Sequence, residues 1–232
     1  MTSKDSPSFK IILGSSSSSR RQILSDMGYE FSIMAADIDE KQIRMEKPEE
    51  LVMALAEAKA DAIISKLQIN EFTEKDEPTL LITADQSTRK PNCVTILDFA
   101  RDWHFSIYVA IFLKVVVHGG KIREKPSSRE EAREFIKGYS EGHAATVGSV
   151  VVTNLKTSAR QRGWDKAEVY FHKIPDEVIE NLVNEGDVLY VAGGLLVEHP
   201  LTSPFVEAMV GTLDSIMGLP KHLTERLIQD AL

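Results

Sequence analysis

Short apolar runs separated by polar turns alternate along this chain with stretches of helical spacing. Phe9 to Leu13 reads as a strand, Gly14 and Ser15 to Ser19 as a turn. Arg20 to Met27 follows as a helix, with Ile23, Leu24 and Met27 on one side and Gly28 at its end. Tyr29 to Ala35 alternates as a second strand. Pro48 opens a helix to about Leu67, with Glu49 and Glu50 in its favoured first turn. Asn70 to Pro78 is a polar loop, and Thr79 to Gln86 is a buried strand that ends on the acid Asp85. Ser128-Arg129-Glu130-Glu131 is a capping box for a helix to about Tyr139. Ala144 to Asn154 and Ala167 to Ile174 are β-rich, Pro175 to Asn184 is helical, and Pro220 starts a final helix. This alternation predicts an α/β fold with a mixed sheet and a central cleft.

Composition narrows the class. The chain has 232 residues, enough for one large domain or two small ones, and its 43% hydrophobic and 27% charged residues are those of an ordinary soluble protein. A net charge of −8 argues against bulk attraction to nucleic acid or to anionic membranes. One cysteine, Cys93, excludes an internal disulfide and a multi-cysteine metal site. Residues 1–8 are polar, carry no targeting pattern and read as a short disordered terminus. The longest apolar run, Phe105 to Leu113, is too short for a membrane span, and Lys114 interrupts its continuation. The expected location is cytoplasmic.

Four features carry candidate chemistry. A strand, a glycine–serine turn and a helix expose backbone N–H groups that bind anions, and Arg20 or Arg21 adds charge and a planar donor fork. A serine linker beside a solvated arginine pair is the alternative. Lys59 lies on the apolar stripe of Val52, Leu55, Ala56 and Ile63, so it must snorkel or find an anion. Asp37, Asp39 and Glu40 form an acidic turn after the second strand; they read as a solvated turn or as oxygen donors to a hard cation. Asp85 stands where a parallel sheet holds its ligand, although a solvated acid at a strand end is the common case. Lys121 to Pro126 adds a basic loop before the capped helix; His118, His143, His172, His199 and His222 show no ligand spacing, and neither they nor His104 are given a role.

Leu13-Gly14-Ser15-Ser16-Ser17 with Arg20-Arg21, Asp37-Ile38-Asp39-Glu40, Ala58-Lys59-Ala60, Ala84-Asp85-Gln86, Glu124-Lys125-Pro126 and Met217-Gly218-Leu219-Pro220 together resemble the Maf family. Each motif is weak alone; six in order are specific. The C-terminal stretch most resembles plant members. The resemblance implies a single domain over residues 9–232 of Maf-like, ITPase-like architecture, a twisted mixed sheet flanked by helices, and a homodimer. It implies a nucleoside triphosphate pyrophosphatase, a hydrolase of phosphoric anhydride bonds that needs a divalent cation, Mg2+ or Mn2+. By the same resemblance Asp85 would accept the proton of the attacking water and, with Glu40, bind metal. Ser15, Arg20, Arg21, Lys59 and Lys125 would hold the triphosphate. Gln86 would help select the base: glutamine resembles the 7-methyl-GTP group, threonine the dTTP and UTP group.

Two departures stand out. Ser17, Ser18 and Ser19 replace a small residue, proline and arginine of the family pattern, which leaves open whether Arg20 or Arg21 meets phosphate. Family members also place the equivalents of Asp85 and Lys125 much closer together. Removing Ser87 to Lys114 would join Gln86 to Val115-Val116-Val117 and restore the spacing. Residues 87–114 therefore read as an insertion, a translated intron or gene-model product, with a lineage-specific lid as the alternative. A catalytically silent nucleotide-binding or regulatory protein is the competing functional reading, because the insertion begins one residue past the presumed catalytic strand.

Overall fold

The computed structural model describes residues 9–15, 17–36, 38–67 and 106–232. Asp37, the expected strand Thr79 to Gln86 and most of the 87–114 segment lie outside the described residues.

The chain order begins β1 (Phe9–Leu13), α1 (Ser18–Asp26), β2 (Phe31–Ile33), α2 (Pro48–Lys66) and β3 (Ser106–His118). It continues with β4 (Lys121–Arg123), α3 (Arg129–Tyr139), β5 (His143–Asn154) and β6 (Arg160–Phe171). It closes with α4 (Asp176–Glu185), β7 (Val206–Val210), α5 (Leu213–Met217) and α6 (Lys221–Ala231). The described strands form one mixed sheet in the order β2-β1-β3-β5-β6-β7, with β4 on β3. β1 pairs in parallel with β2 and β3; the other pairings are antiparallel. A mixed α/β fold is therefore what the chain adopts.

Two apolar clusters cover the sheet. One gathers β1, the middle of β3 and β5 with buried residues of α1, α2 and α6. The other gathers Val116, the inner faces of α3 and α4, and residues after α4 such as Val188, Leu195 and Val197. Buried polar groups between layers are paired: Ser149 Oγ donates to the Val52 carbonyl at 2.7 Å, and Asn154 Nδ2 to that of Ala231 at 2.9 Å. Such pairing removes most of the cost of burying them.

Several boundaries differ from the sequence reading. α1 begins at Ser18 because the Ser17 side chain caps it, accepting from the Arg20 N–H. The serine run is thus half turn and half helix. β2 is shorter than Tyr29 to Ala35. β6 starts at Arg160, well before Ala167: its first half pairs with β5 through polar and small residues that give no apolar signal. β7 and α5 carry no strong period that would mark them in the sequence.

The largest difference concerns the segment read as an insertion. Its last residues, Ser106 to Lys114, run without a break into Val115, Val116 and Val117 as one strand, β3. β3 lies in parallel beside β1, with Phe9 opposite Ser106 and Leu13 opposite Ala110.

Candidate functional site

β3 creates the site by being longer than its neighbour. One edge is covered by β5 from Tyr108 to Val117. On the other edge β1 ends opposite Ala110, and β4 begins opposite Val116. No described strand covers Ile111 to Val115 on that edge. The chain leaving β1 turns away there through Gly14 and Ser15 into α1. This is a parallel-sheet switch point, where α/β folds hold their ligands.

Charged side chains from three elements are linked beside this gap: Arg20 meets Lys114 at Gly218, and Glu40, which acts on Arg20, pairs with Lys59. Arg20, in the first turn of α1, donates from Nε to the Gly218 carbonyl at 2.9 Å and from a terminal nitrogen to Ser15 Oγ at 3.4 Å. Ser15 is fully buried and also accepts from the Ser17 N–H at 3.2 Å. Arg21 is exposed, so Arg20 is the arginine that faces inward. Burial lowers the Arg20 pKa to about 10, with Glu40 opposing the shift. Guanidinium at this value stays protonated at neutral pH.

Lys59 comes from α2. It is 2% exposed, and its Nζ lies 2.6 Å from Glu40 Oε1. The lysine on the apolar stripe thus finds an anion inside the protein. Glu40 opens a 3-10 turn (Glu40–Gln42) capped by Asp39, whose carboxylate accepts from the Lys41 N–H at 3.1 Å. Its side chain is about one-third exposed, so one side is open to a ligand.

Lys114, from β3, donates to the Ile216 carbonyl at 2.7 Å. Its pKa falls to about 8, chiefly by burial and next by the Arg20 charge, with Glu198 acting in the opposite direction. Neither Lys114 nor Glu198 was given a role from the sequence. A signal existed for Lys114: like Lys59, it interrupts an apolar run.

Gly218 explains how Arg20 and Lys114 come together. It ends α5 with φ of +97°, a conformation that favours glycine. A Cβ there would lie 3.1 Å from the Arg20 guanidinium and 3.4 Å from Lys114 Cδ.

Lys125 is exposed, in the loop after β4. That loop is tied down by the Gly193 N–H donating to the Glu124 carbonyl at 2.8 Å and by an Arg44–Glu124 ion pair at 3.1 Å. Asp85 and Gln86 lie outside the described residues. Among the described residues no three His, Cys, Asp or Glu side chains cluster as a metal site. A magnesium-like ion needs only one or two protein carboxylates beside substrate phosphates, and half-open Glu40 meets that need. A cavity of about 470 Å³ lined by Trp164, Asp165, Lys221 and Arg226 shares none of Ser15, Arg20, Glu40, Lys59 or Lys114.

A mixed α/β domain with a cationic gap at its parallel switch point defines a binder of anionic, phosphate-bearing ligands. The particular family follows from comparison. The family model for Maf-like protein matches residues 10–231, and this chain belongs to that family. It is 38% identical over 218 residues to the 7-methyl-GTP pyrophosphatase of Dictyostelium discoideum, covering 94% of this chain and 95% of that protein. It is 30% identical over 220 residues to the dTTP/UTP pyrophosphatase of Neisseria meningitidis, covering 95% and 93%. A nucleoside triphosphate pyrophosphatase of Synechococcus is 27% identical over 220 residues, with coverage of 95% and 93%. No described helix is long and apolar enough to cross a membrane.

Proposed function

We propose that this chain is a nucleoside triphosphate pyrophosphatase with 7-methyl-GTP as its favoured substrate and dTTP or UTP next. The observation that carries the reading is the cationic cluster of Arg20 and Lys114 with the buried Ser15 at the open edge of β3, coupled through Glu40 to Lys59. Similarity to the 7-methyl-GTP pyrophosphatase and the glutamine at position 86 support the base preference.

In this reading the triphosphate lies across the gap. Arg20 and the buried Ser15 hydroxyl orient one phosphate, and Lys125 approaches from the loop after β4. Lys59 keeps Glu40 in place. Asp85 takes a proton from water, and the water oxygen attacks the α-phosphorus. The bond from that phosphorus to the bridging oxygen breaks, giving nucleoside monophosphate and pyrophosphate. Fixed cations stabilise the charge that gathers on the leaving pyrophosphate. Glu40, with Asp85, would hold a divalent cation that neutralises phosphate charge.

A second reading is favoured by one observation: within β3 the residues just before Val115, at the uncovered edge, are Leu113 and Lys114. The absence of a carboxylate at those two positions suits a nucleotide-binding protein that does not turn its ligand over. One experiment separates the two. Purified chain is given 7-methyl-GTP, UTP, dTTP, CTP and GTP with Mg2+ or Mn2+, and pyrophosphate is measured. Release fastest from 7-methyl-GTP and lost in Asp85→Asn supports the enzyme. Nucleotide binding with no release above the Asp85→Asn level supports the silent protein.

A further inference from the structure

We propose that Lys114 is a polyphosphate ligand of this site, gripping the same phosphate group as Arg20 beside Gly218. The inference rests on the proposed function for the identity of its ligand, and it adds a cation that no motif of the chain supplied.

Location is the first argument. Lys114 stands in the stretch of β3 that neither β1 nor β4 covers, two residues before the first β4 pairing. Its side chain and the Arg20 guanidinium both lie against the Cα of Gly218, within the reach of one absent Cβ. Two cations from distant parts of the chain are therefore anchored to one turn, through the Ile216 and Gly218 carbonyls.

Donor capacity is the second. An ammonium has three N–H donors and a guanidinium five. Among the described residues Lys114 uses one donor on Ile216, and Arg20 uses two groups on Gly218 and Ser15. The donors left over belong to two neighbouring like charges, which suits a multivalent oxyanion.

Charge balance is the third. The charged groups that act on Lys114 are Arg20 from α1 and Glu198 from the segment before β7. Glu40, the carboxylate acting on Arg20, is already engaged by Lys59. Burial and Arg20 together leave Lys114 with a pKa of about 8. Holding two cations together in a partly buried place is unfavourable unless an anion joins them. A phosphate group between them would reverse the Arg20 effect and restore the proton to Lys114.

The test uses inorganic pyrophosphate, the product of the proposed reaction, without metal. Binding is measured by titration calorimetry on the full chain, Lys114→Met and Lys114→Arg. Repeating it at pH 8.5 in buffers of different ionisation enthalpy counts protons. Lys114→Met is expected to weaken binding roughly tenfold or more, the scale of one lost charge-assisted hydrogen bond. Pyrophosphate carries a proton of its own at pH 8.5, so the count is read against Lys114→Met: the natural protein should take up more than half a proton per site beyond that variant, because a lysine that is mostly neutral there becomes charged. Lys114→Arg should keep affinity within a few-fold yet show no such uptake, since arginine is already protonated. Melting curves of both variants check folding.

Equal affinity and equal proton uptake in Lys114→Met overturn the inference, as does a natural protein that binds no pyrophosphate. The proposed function fails separately. If the full chain hydrolyses no nucleotide but loses pyrophosphate affinity in Lys114→Met, the anion site stands and the enzyme does not. If it hydrolyses nucleotides with the same kcat/KM in Lys114→Met, the enzyme stands and the inference falls.

Discussion

At Lys59 a full positive charge is buried on a helix face that otherwise packs aliphatic side chains, and Glu40 answers it at 2.6 Å. Removing one partner of such a pair costs more than the pair itself contributes, because the other charge is left without compensation. Glu40→Gln keeps an acceptor near Lys59 and Glu40 is partly exposed, so the expected loss is about 1–2 kcal/mol, well below the fully buried case. Adding Lys59→Met should recover most of it. Denaturant unfolding of the single and double variants measures both; equal stability of all three would remove the pair from the core's energetics. Lys114 gives the opposite expectation. Its folded pKa of about 8 lies below the ordinary 10.5. Below pH 8 both states hold the proton, and the folded state bears the full cost of a partly buried charge. Between 8 and 10.5 the unfolded chain still binds the proton that the folded lysine has released, so stability rises with pH in that window. Lys114→Met should therefore melt higher than the natural protein at pH 7, by about 2–4 °C for each kcal/mol of relief, and lose that advantage by pH 10. A variant that melts lower at pH 7 would show the lysine to be a structural support instead.

At the scale of elements, turns and caps fix where the charged residues point. Ser17 starts α1 early enough to put Arg20 in its first turn, with the guanidinium directed at Ser15 and Gly218. Ser128 caps α3 by accepting from the Glu131 N–H at 3.1 Å, while Glu131 accepts from the Ser127 N–H and hydroxyl. The capping box read from the sequence is thus present, with its return bond shifted by one residue. Gly193 shows what spacing does not reveal. It has φ of +63°, its carbonyl accepts from the Tyr139 hydroxyl at 2.7 Å, and a Cβ there would lie 2.5 Å from Val116 Cβ. Gly193→Ala combines backbone strain with a collision against the core strand, and it should cost about 3 kcal/mol or more. Ser128→Ala should cost about 1 kcal/mol. Urea midpoints of the two variants test that order, and a Gly193→Ala protein no less stable than Ser128→Ala would refute it. The sequence disclosed the cap because a cap is a local pattern. It disclosed the glycine only as a turn, because the need for glycine is set by Val116 and Tyr139, far away along the chain.

For the whole molecule, the legible part of the fold was whatever buries an apolar face locally: β1, α2, α3, β5, α4 and α6 all followed from period and capping. β6 and β7 were partly or wholly unread because their pairing is with other strands, and half of β6 exposes polar side chains. The site divides the same way. Ser15, Arg20, Glu40 and Lys59 were singled out as residues, but only the fold shows that Glu40 and Lys59 are partners and that Arg20, not Arg21, faces inward. The central strand shows the limit most clearly. Two segments of this chain have the length and apolar character to lead toward the gap, Leu80 to Gln86 and Ile107 to Lys114. Period and hydrophobicity do not rank them, whereas β3 contains the second, joined directly to Val115. Deleting Ser87 to Lys114 would join Gln86 to Val115, so the strand beside β1 could be rebuilt only from Leu80 to Gln86. Asp85 and Gln86 would then stand where Leu113 and Lys114 stand, exchanging a leucine at the edge of the apolar core for a carboxylate and the lysine at the gap for an amide. A carboxylate there favours proton transfer from water, and loss of the lysine weakens the grip on phosphate. The shortened chain should accordingly show a higher kcat on 7-methyl-GTP, a higher KM, and pyrophosphate binding weakened to the level of Lys114→Met. Steady-state kinetics and calorimetry on the two chains decide it: a shortened, folded chain with unchanged kcat and undiminished pyrophosphate affinity would mean that the strand end does not control the site.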